Sequence, residues 1–222
     1  MCCAYFFGED MSFLKNLFNK PTPARKLTSV KDLDLGDIIV LTDSFALPES
    51  LRQQEFQITA VNSYEYEHVT QKEWTLSGNN DLEIFLTLDI DDKTYLKFAL
   101  KIEHQDIESL FDLDEFSTLF DEPGQAYLQR QEDTNKSSGW SDEAYQQQVF
   151  ARVGYFHRKD YSKQSLSPYQ GQDAGEQFEL YALYNQDQSR GVEVEVWHDG
   201  DTDVFLTLYR PMTDIIDMYP GS

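Results

Sequence analysis

The chain has almost no cysteine, and the two it has, Cys2 and Cys3, are adjacent near its start. A disulfide framework needs partners far apart in sequence, and a zinc site needs ligands spaced to converge, so neither is expected. Histidine is also scarce. His68, His104, His157 and His198 stand far apart, with no HxH or HExxH spacing to place two imidazoles on one helical face. No GxSxG, GxxxxGKS/T or GxGxxG occurs, which removes the nucleophile elbow, the phosphate loop and the dinucleotide fingerprint. Both cysteines lie within the first three residues, so Cys/His nucleophilic catalysis is excluded as well. No catalytic residue, no metal ligand and no cofactor is expected, and the reading leans away from an enzyme.

Long apolar runs are missing too. Nowhere do about 18 apolar residues follow one another, so a spanning helix is not expected. The opening MCCAYFFGED lacks a basic n-region and its apolar run is too short for a secretory signal, which points to a cytoplasmic protein. Positive charge is the third shortage: 18 Lys and Arg stand against 40 Asp and Glu, a formal net charge of −22. Nucleic-acid affinity rests on Lys and Arg displacing counterions from phosphates, so such a body disfavours nucleic acid. The acidity fits solubility, a basic protein partner or mimicry of a nucleic-acid surface.

What is present is aromatic and alternating. With 15 Phe, 13 Tyr and 3 Trp in 222 residues, the chain has the material for a packed core and is not a disordered acidic tail. The basic residues are unevenly placed: between residues 11 and 31 there are five (Lys15, Lys20, Arg25, Lys26, Lys31) and no acidic residue. The segment 11–28 begins MSFLKNLFNKP, where Phe13, Leu14, Leu17 and Phe18 gather on one face of a short helix, with Lys15 elsewhere and Lys20 at the edge of that face. Two turns are too few to stand alone in water, so this helix needs a surface to lie on. That surface is either the protein's own core or a membrane or partner, with the basic residues meeting anionic lipid in weak, reversible contact. Residues 1–10 read as a mis-annotated start: Gly8-Glu9 before Asp10-Met11 can be encoded by a purine-rich stretch like a ribosome-binding site, making Met11 the expected natural start.

Two segments 108 residues apart align without a gap, IFLTLDIDDKTYLKFALKIEHQDIESLF from Ile84 and VEVEVWHDGDTDVFLTLYRPMTDIIDMY from Val192. Ile84, Leu86, Leu88, Leu96, Phe98 and Leu100 correspond to Val192, Val194, Val196, Val204, Leu206 and Leu208. Period-two alternation interrupted at an Asp/Gly/Lys cluster predicts a hairpin in each copy. Asp199, Asp201 and Asp203 then read as a hairpin corner rather than a cation loop, since a hard cation wants six or more oxygens and Lys93 stands at the matching place of the first copy. DIESLF and DIIDMY would close the two copies with helical turns, capped by Asp106 and Asp214. The expected fold is mainly β, α+β at most. Two tandem antiparallel β-meander or small-barrel domains, over 29–120 and 149–222, would each be closed by a short helix and joined by a Gln/Asp/Ser/Gly-rich connector over 121–148. Trp140 and Tyr145 of that connector are expected to pack.

One basic, aromatic island, GYFHRKDYSKQS from Gly154, interrupts the acidic body. His157, Arg158 and Lys159 could contact an anion or a partner, or could pair with neighbouring carboxylates at a strand end.

The order LGD at Leu35 to Asp37, FQITAVNSYEYE from Phe56 and a strand bearing Trp74 resembles an uncharacterised bacterial domain family with an LGD, strand, YxYE, strand, W pattern. FALPESLRQQEFQITAV and the FLKNLF start resemble YjfK-type proteins of phage-shock-like gene neighbourhoods. The resemblance covers about residues 33–111 and brings no catalytic set. It implies a membrane-stress protein as partner and a place peripheral to the inner membrane. Together these features suggest a non-enzymatic cytoplasmic adaptor or interaction protein with an acidic surface. The alternative is a hydrolase or small-ligand-binding protein with a pocket between the two domains.

Overall fold

The computed structural model describes residues 25–79, 82–90, 92–162 and 175–221. The N-terminal residues Phe13, Leu14, Lys15, Leu17, Phe18 and Lys20, and with them the expected docking helix, lie outside the described residues. The first half forms β1 (Ile38–Leu41), β2 (Glu55–Glu65), β3 (Thr70–Ser77), β4 (Glu83–Ile90) and β5 (Thr94–Ile102). Two short helices follow, α1 (His104–Leu110) and α2 (Leu113–Ser117). The second half forms β6 (Tyr127–Gln129), β7 (Ala144–His157), β8 (Glu176–Tyr184), β9 (Arg190–Trp197), β10 (Thr202–Pro211) and β11 (Ile215–Tyr219). The protein is mainly β, as its alternation implies.

Among the described residues all strands belong to one antiparallel sheet in the order β11-β1-β2-β3-β4-β5-β10-β9-β8-β7-β6, and β2 also pairs with β7. That last pairing closes the eight strands from β2 to β7 into a ring. The two expected meanders, β2–β5 and β7–β10, each supply four of these strands and join edge to edge. A four-stranded curved sheet has two open edges; pairing β5 with β10 and β2 with β7 satisfies all of them. At the first seam Ala99 lies opposite Thr207, and at the second Tyr64 lies opposite Phe156.

Long, bulged strands make the closure possible. The N-terminal part of β2 pairs with β1 through Gln57, and its C-terminal part pairs with β7 from Ser63 onward. An irregularity between Ile58 and Ala60 separates the two stretches. In β7 the register shifts between Gln147 and Arg152, where Ala151 adopts φ 47°. An extra residue bends a strand and increases its twist, letting it leave one neighbour and meet another.

The two hairpins expected from the sequence are β4–β5 and β9–β10, and their aligned apolar residues point outward from the ring. Leu86, Phe98, Val194 and Leu206 there merge with Leu33, Ile39 and Phe56 before β3, and with Leu110, Phe116, Leu128, Trp140 and Tyr145 after β5, in one buried cluster. Chain segments thus cover the outside of the sheet. Trp140 and Tyr145 pack as anchors, and the Tyr145 hydroxyl accepts the Asp142 backbone N–H at 2.5 Å. DIESLF closes the first half as part of α1. DIIDMY does not form a helix: after a single 3-10 turn over Met212–Asp214 it becomes β11, because its backbone pairs with β1.

The LGD and W elements have structural roles. Gly36 takes φ 85°, a left-handed conformation that suits glycine, and its N–H reaches the Ile58 carbonyl at 2.8 Å. The fully buried Asp37 carboxylate accepts the Asp34 and Gly221 N–H groups at 2.8 Å and pairs with Arg25. It thereby ties the N-terminal turn to the end of β11. Trp74 donates its indole N–H to the Leu33 carbonyl at 3.0 Å.

Candidate ligand recess in the barrel

Alternation that sends Val192, Val194, Leu206 and Leu208 outward sends Glu193, Glu195, Thr207 and Tyr209 into the ring. By the same register Glu73, Thr87 and Lys97 also point inward. The lumen is therefore lined by charged and polar groups, with Phe85, Phe205, Tyr64 and Tyr66 between them. Glu73, Glu193 and Glu195 are 5%, 6% and 4% exposed.

A buried charge is costly unless it is paired and hydrogen-bonded. Glu193 meets that condition: Lys97 Nζ lies 3.0 and 2.8 Å from its Oε1 and Oε2, and Tyr209 donates to Oε1 at 3.3 Å. Glu73 is met by neutral donors, Asn62 Nδ2 at 3.1 Å from Oε1 and the Tyr64 phenol. Glu195 is less satisfied, for its Oε2 has no hydrogen-bond partner. The hydroxyls of Thr87 and Thr207 share that condition. A small chamber of about 20 Å³ lies among Tyr66, Thr87, Lys97 and Glu195.

Proton affinities follow from this placement. Burial pushes the Glu73 carboxyl up to about 7, against the opposing pull of Asn62, Lys97 and Tyr64. Burial, followed by the charges of Glu73 and Glu193, pushes Glu195 up to about 8. For Lys97, burial pulls the ammonium down, but Glu193 outweighs it and leaves the group raised. Burial also lifts the Tyr64, Tyr66 and Tyr209 phenols. At neutral pH the lumen thus holds one charged pair and two carboxyl groups that carry protons readily.

Toward the end of the barrel where β9 turns into β10, the lumen widens into a recess of about 1090 Å³. Glu73 and Glu195 lie at its floor; Tyr64, Phe85, Phe156, Trp197 and Phe205 form aromatic walls. Phe156 and Trp197 meet edge to face with centroids 5.9 Å apart, as do Phe85 and Phe205 at 5.7 Å. The rim is acidic, with Glu83, Glu176, Asp199, Asp201 and Asp203 against Lys101 and Arg158. Both rim cations are engaged: Lys101 with Asp203 at 2.6 Å and Arg158 with Glu176 at 3.1 Å.

The Asp199, Asp201 and Asp203 stretch is a hairpin corner, as its sequence implies. Trp197 and Asp201 pair across the turn at 2.8 Å, Gly200 takes φ 96°, and Asp201 N–H binds Asp199 Oδ1 at 3.1 Å. Among the described residues no three His, Cys, Asp or Glu side chains form a group able to hold a metal ion. Nor is any described helix long and apolar enough to cross a membrane.

The basic island divides. Arg158 and Lys159 are exposed, with the Lys159 ammonium 5.2 Å from the Tyr161 ring centroid. His157 is buried on the outer side of the β2–β7 seam and places Nε2 3.0 Å from the Glu65 carboxylate. His157 is thus taken up by Glu65 and Arg158 by Glu176, pairings with neighbouring carboxylates. The lumen residues Glu73, Lys97, Glu193 and Glu195 were not singled out by sequence reasoning. The signal that identifies them is aromatic: Phe85, Trp197, Phe205 and Tyr209 occupy the same strand phase, where a solvent-facing side would carry polar residues.

In comparison with known proteins, no family model, no curated protein and no solved structure matches this chain.

Proposed function

We propose that the protein is a small-ligand-binding protein whose site is the recess in the barrel. The observation that carries this reading is the floor: a nearly inaccessible carboxyl oxygen, Glu195 Oε2, without a partner, beneath an aromatic-walled hollow. Ligand sites are concave, mostly apolar, and hold a few placed polar groups, commonly with perturbed proton affinities. A barrel of eight strands is about wide enough to hold one small ligand in its mouth. A thermal-shift screen of a chemically varied set of small molecules tests the reading, with each hit mapped by NMR on the Trp197 indole and the amides of β9 and β10. Hits that shift those signals support it. A screen without hits, or hits that leave the recess signals in place, refutes it.

The adaptor reading rests on other residues. Its support is the charge split between the acidic body and the basic segment 11–28, which would give weak attachment to an anionic membrane beside a protein partner. Co-sedimentation with anionic vesicles, comparing the chain from Met11 with a chain lacking residues 11–28, tests the attachment. Equal sedimentation of both refutes it.

A further inference from the structure

We propose that the recess takes an organic cation bearing N–H donors, an amine or a guanidine, with its charged nitrogen against Glu195 and its carbon frame along the aromatic wall. This deepens the ligand-binding reading and rests on it.

Three independent features select that chemistry. The buried Glu195 Oε2 lacks a partner, and a carboxylate oxygen is completed by an N–H or O–H donor. A quaternary ammonium has no such donor. The field favours a positive ligand, since five acidic rim residues face two basic ones and each basic one is already paired. The walls also suit a cation, because Trp, Tyr and Phe faces attract ammonium and guanidinium groups within about 6 Å. An anion in the recess would meet the Glu73 and Glu195 carboxyls at its floor, while the lumen's own cation, Lys97, is committed to Glu193.

Binding of this kind is linked to a proton. The ionisable groups around Glu195 are Tyr64 and Tyr66 from the β2 side, Glu73 from β3, Lys97 from β5, Asp203 from β10 and Glu193 on its own strand. Its neighbour across β8 is the apolar Leu180. In this setting the Glu195 carboxyl keeps its proton up to about pH 8. An arriving ammonium needs the carboxylate, so the proton leaves to solvent as the cation seats. Affinity then rises with pH and levels off once Glu195 is ionised in the ligand-free protein.

The experiment compares three four-carbon probes by calorimetry and NMR: 1,4-diaminobutane, 1,4-butanediol and succinate, with tetramethylammonium as a cation lacking donors. The diamine alone should move the Trp197 indole. Its affinity should rise about tenfold between pH 6 and 7 and flatten above pH 8, with one proton released per ligand at pH 7. Glu195→Gln should weaken it at least tenfold at pH 8.5 and abolish the pH slope. Should that variant fail to fold, the pH slope of the unaltered protein decides alone. Binding of the diol or succinate in place of the diamine overturns the cation assignment and leaves the recess reading standing. Equal binding of diamine and tetramethylammonium, or a diamine affinity independent of pH, also overturns it. Silence of all four probes at every recess signal overturns the cation assignment, while the varied screen decides the recess reading.

Discussion

Replacing Glu195 by Gln removes a titrating proton from the lumen while nearly keeping the side chain's shape. In the folded protein burial and the charges of Glu73 and Glu193 raise this carboxyl from 4.5 to about 8. An unfolded chain releases the proton near 4.5, so the folded state is the tighter proton binder. The stability this confers is fully present below the unfolded value and is lost as pH rises toward the folded one. At about 1.4 kcal/mol per pKa unit the whole interval amounts to about 5 kcal/mol, of which about 4 kcal/mol falls between pH 5 and 9. Glu73, raised to about 7, adds a loss of the same sign. Because the charge of Glu73 raises Glu195, the two titrations are coupled and the single-site figures are upper bounds. Urea unfolding followed by tryptophan fluorescence is the assay, since Trp74 and Trp140 are buried and report global unfolding. The difference between wild type and E195Q is the quantity to follow, because His157 and the rim carboxylates are common to both proteins. That difference should move in the variant's favour by about 4 kcal/mol from pH 5 to 9. A difference that stays constant within about 0.5 kcal/mol across this range refutes the assignment of a proton to buried Glu195.

Two further outcomes follow from the same architecture. Lys97→Met strands the Glu193 carboxylate in the lumen and should cost about 3–5 kcal/mol at pH 8, with K97M/E193M recovering most of it; a double variant as unstable as K97M would show that the pair is not the cause. Phe98→Ala in the first half and Leu206→Ala in the second should each cost about 2–5 kcal/mol and lower one transition shared by far-ultraviolet dichroism and fluorescence; two separated transitions would argue against a single cooperative ring.

The elements legible in the sequence were those set by local pattern. Alternation in IFLTLDI and VEVEVW, broken at DDKT and DGDT, located both hairpins, because a strand facing an apolar layer declares its period. Pairing between distant strands is not a local property. Nothing in β2 or β7 alone says that Tyr64 will face Phe156, so the joining of the two meanders into one ring was not readable. Local pattern also misread DIIDMY, whose backbone is claimed by β1 as β11. The candidate site was hidden for a related reason. Glu193 and Glu195 alternate with valines as residues of a wet face do, yet both faces of β9 are covered, one by chain segments and the other by the closed ring. Only the aromatics Phe85, Trp197 and Phe205 in the same phase betray that the second face is enclosed.

A lumen filled with Leu and Val would be the more stable solution, since replacing buried ion pairs by well-packed apolar residues is often neutral or stabilising by about 1–4 kcal/mol. The polar lumen therefore holds a reserve of unfavourable free energy, concentrated at Glu195, where burial, two neighbouring carboxyls and an unpartnered oxygen coincide. A bound cation relieves all three at once, by neutralising the charge, screening Glu73 and completing Oε2. One group then governs two measurements, the loss of stability with pH in the ligand-free protein and the gain in diamine affinity. Both curves should break at the same pH, near 8, where free Glu195 ionises. Titrating Glu195 directly, through its side-chain carboxyl carbon by NMR, fixes that point independently. An affinity curve that breaks more than about one pH unit away from it would mean that the ligand meets a different group, even with the stability profile as expected.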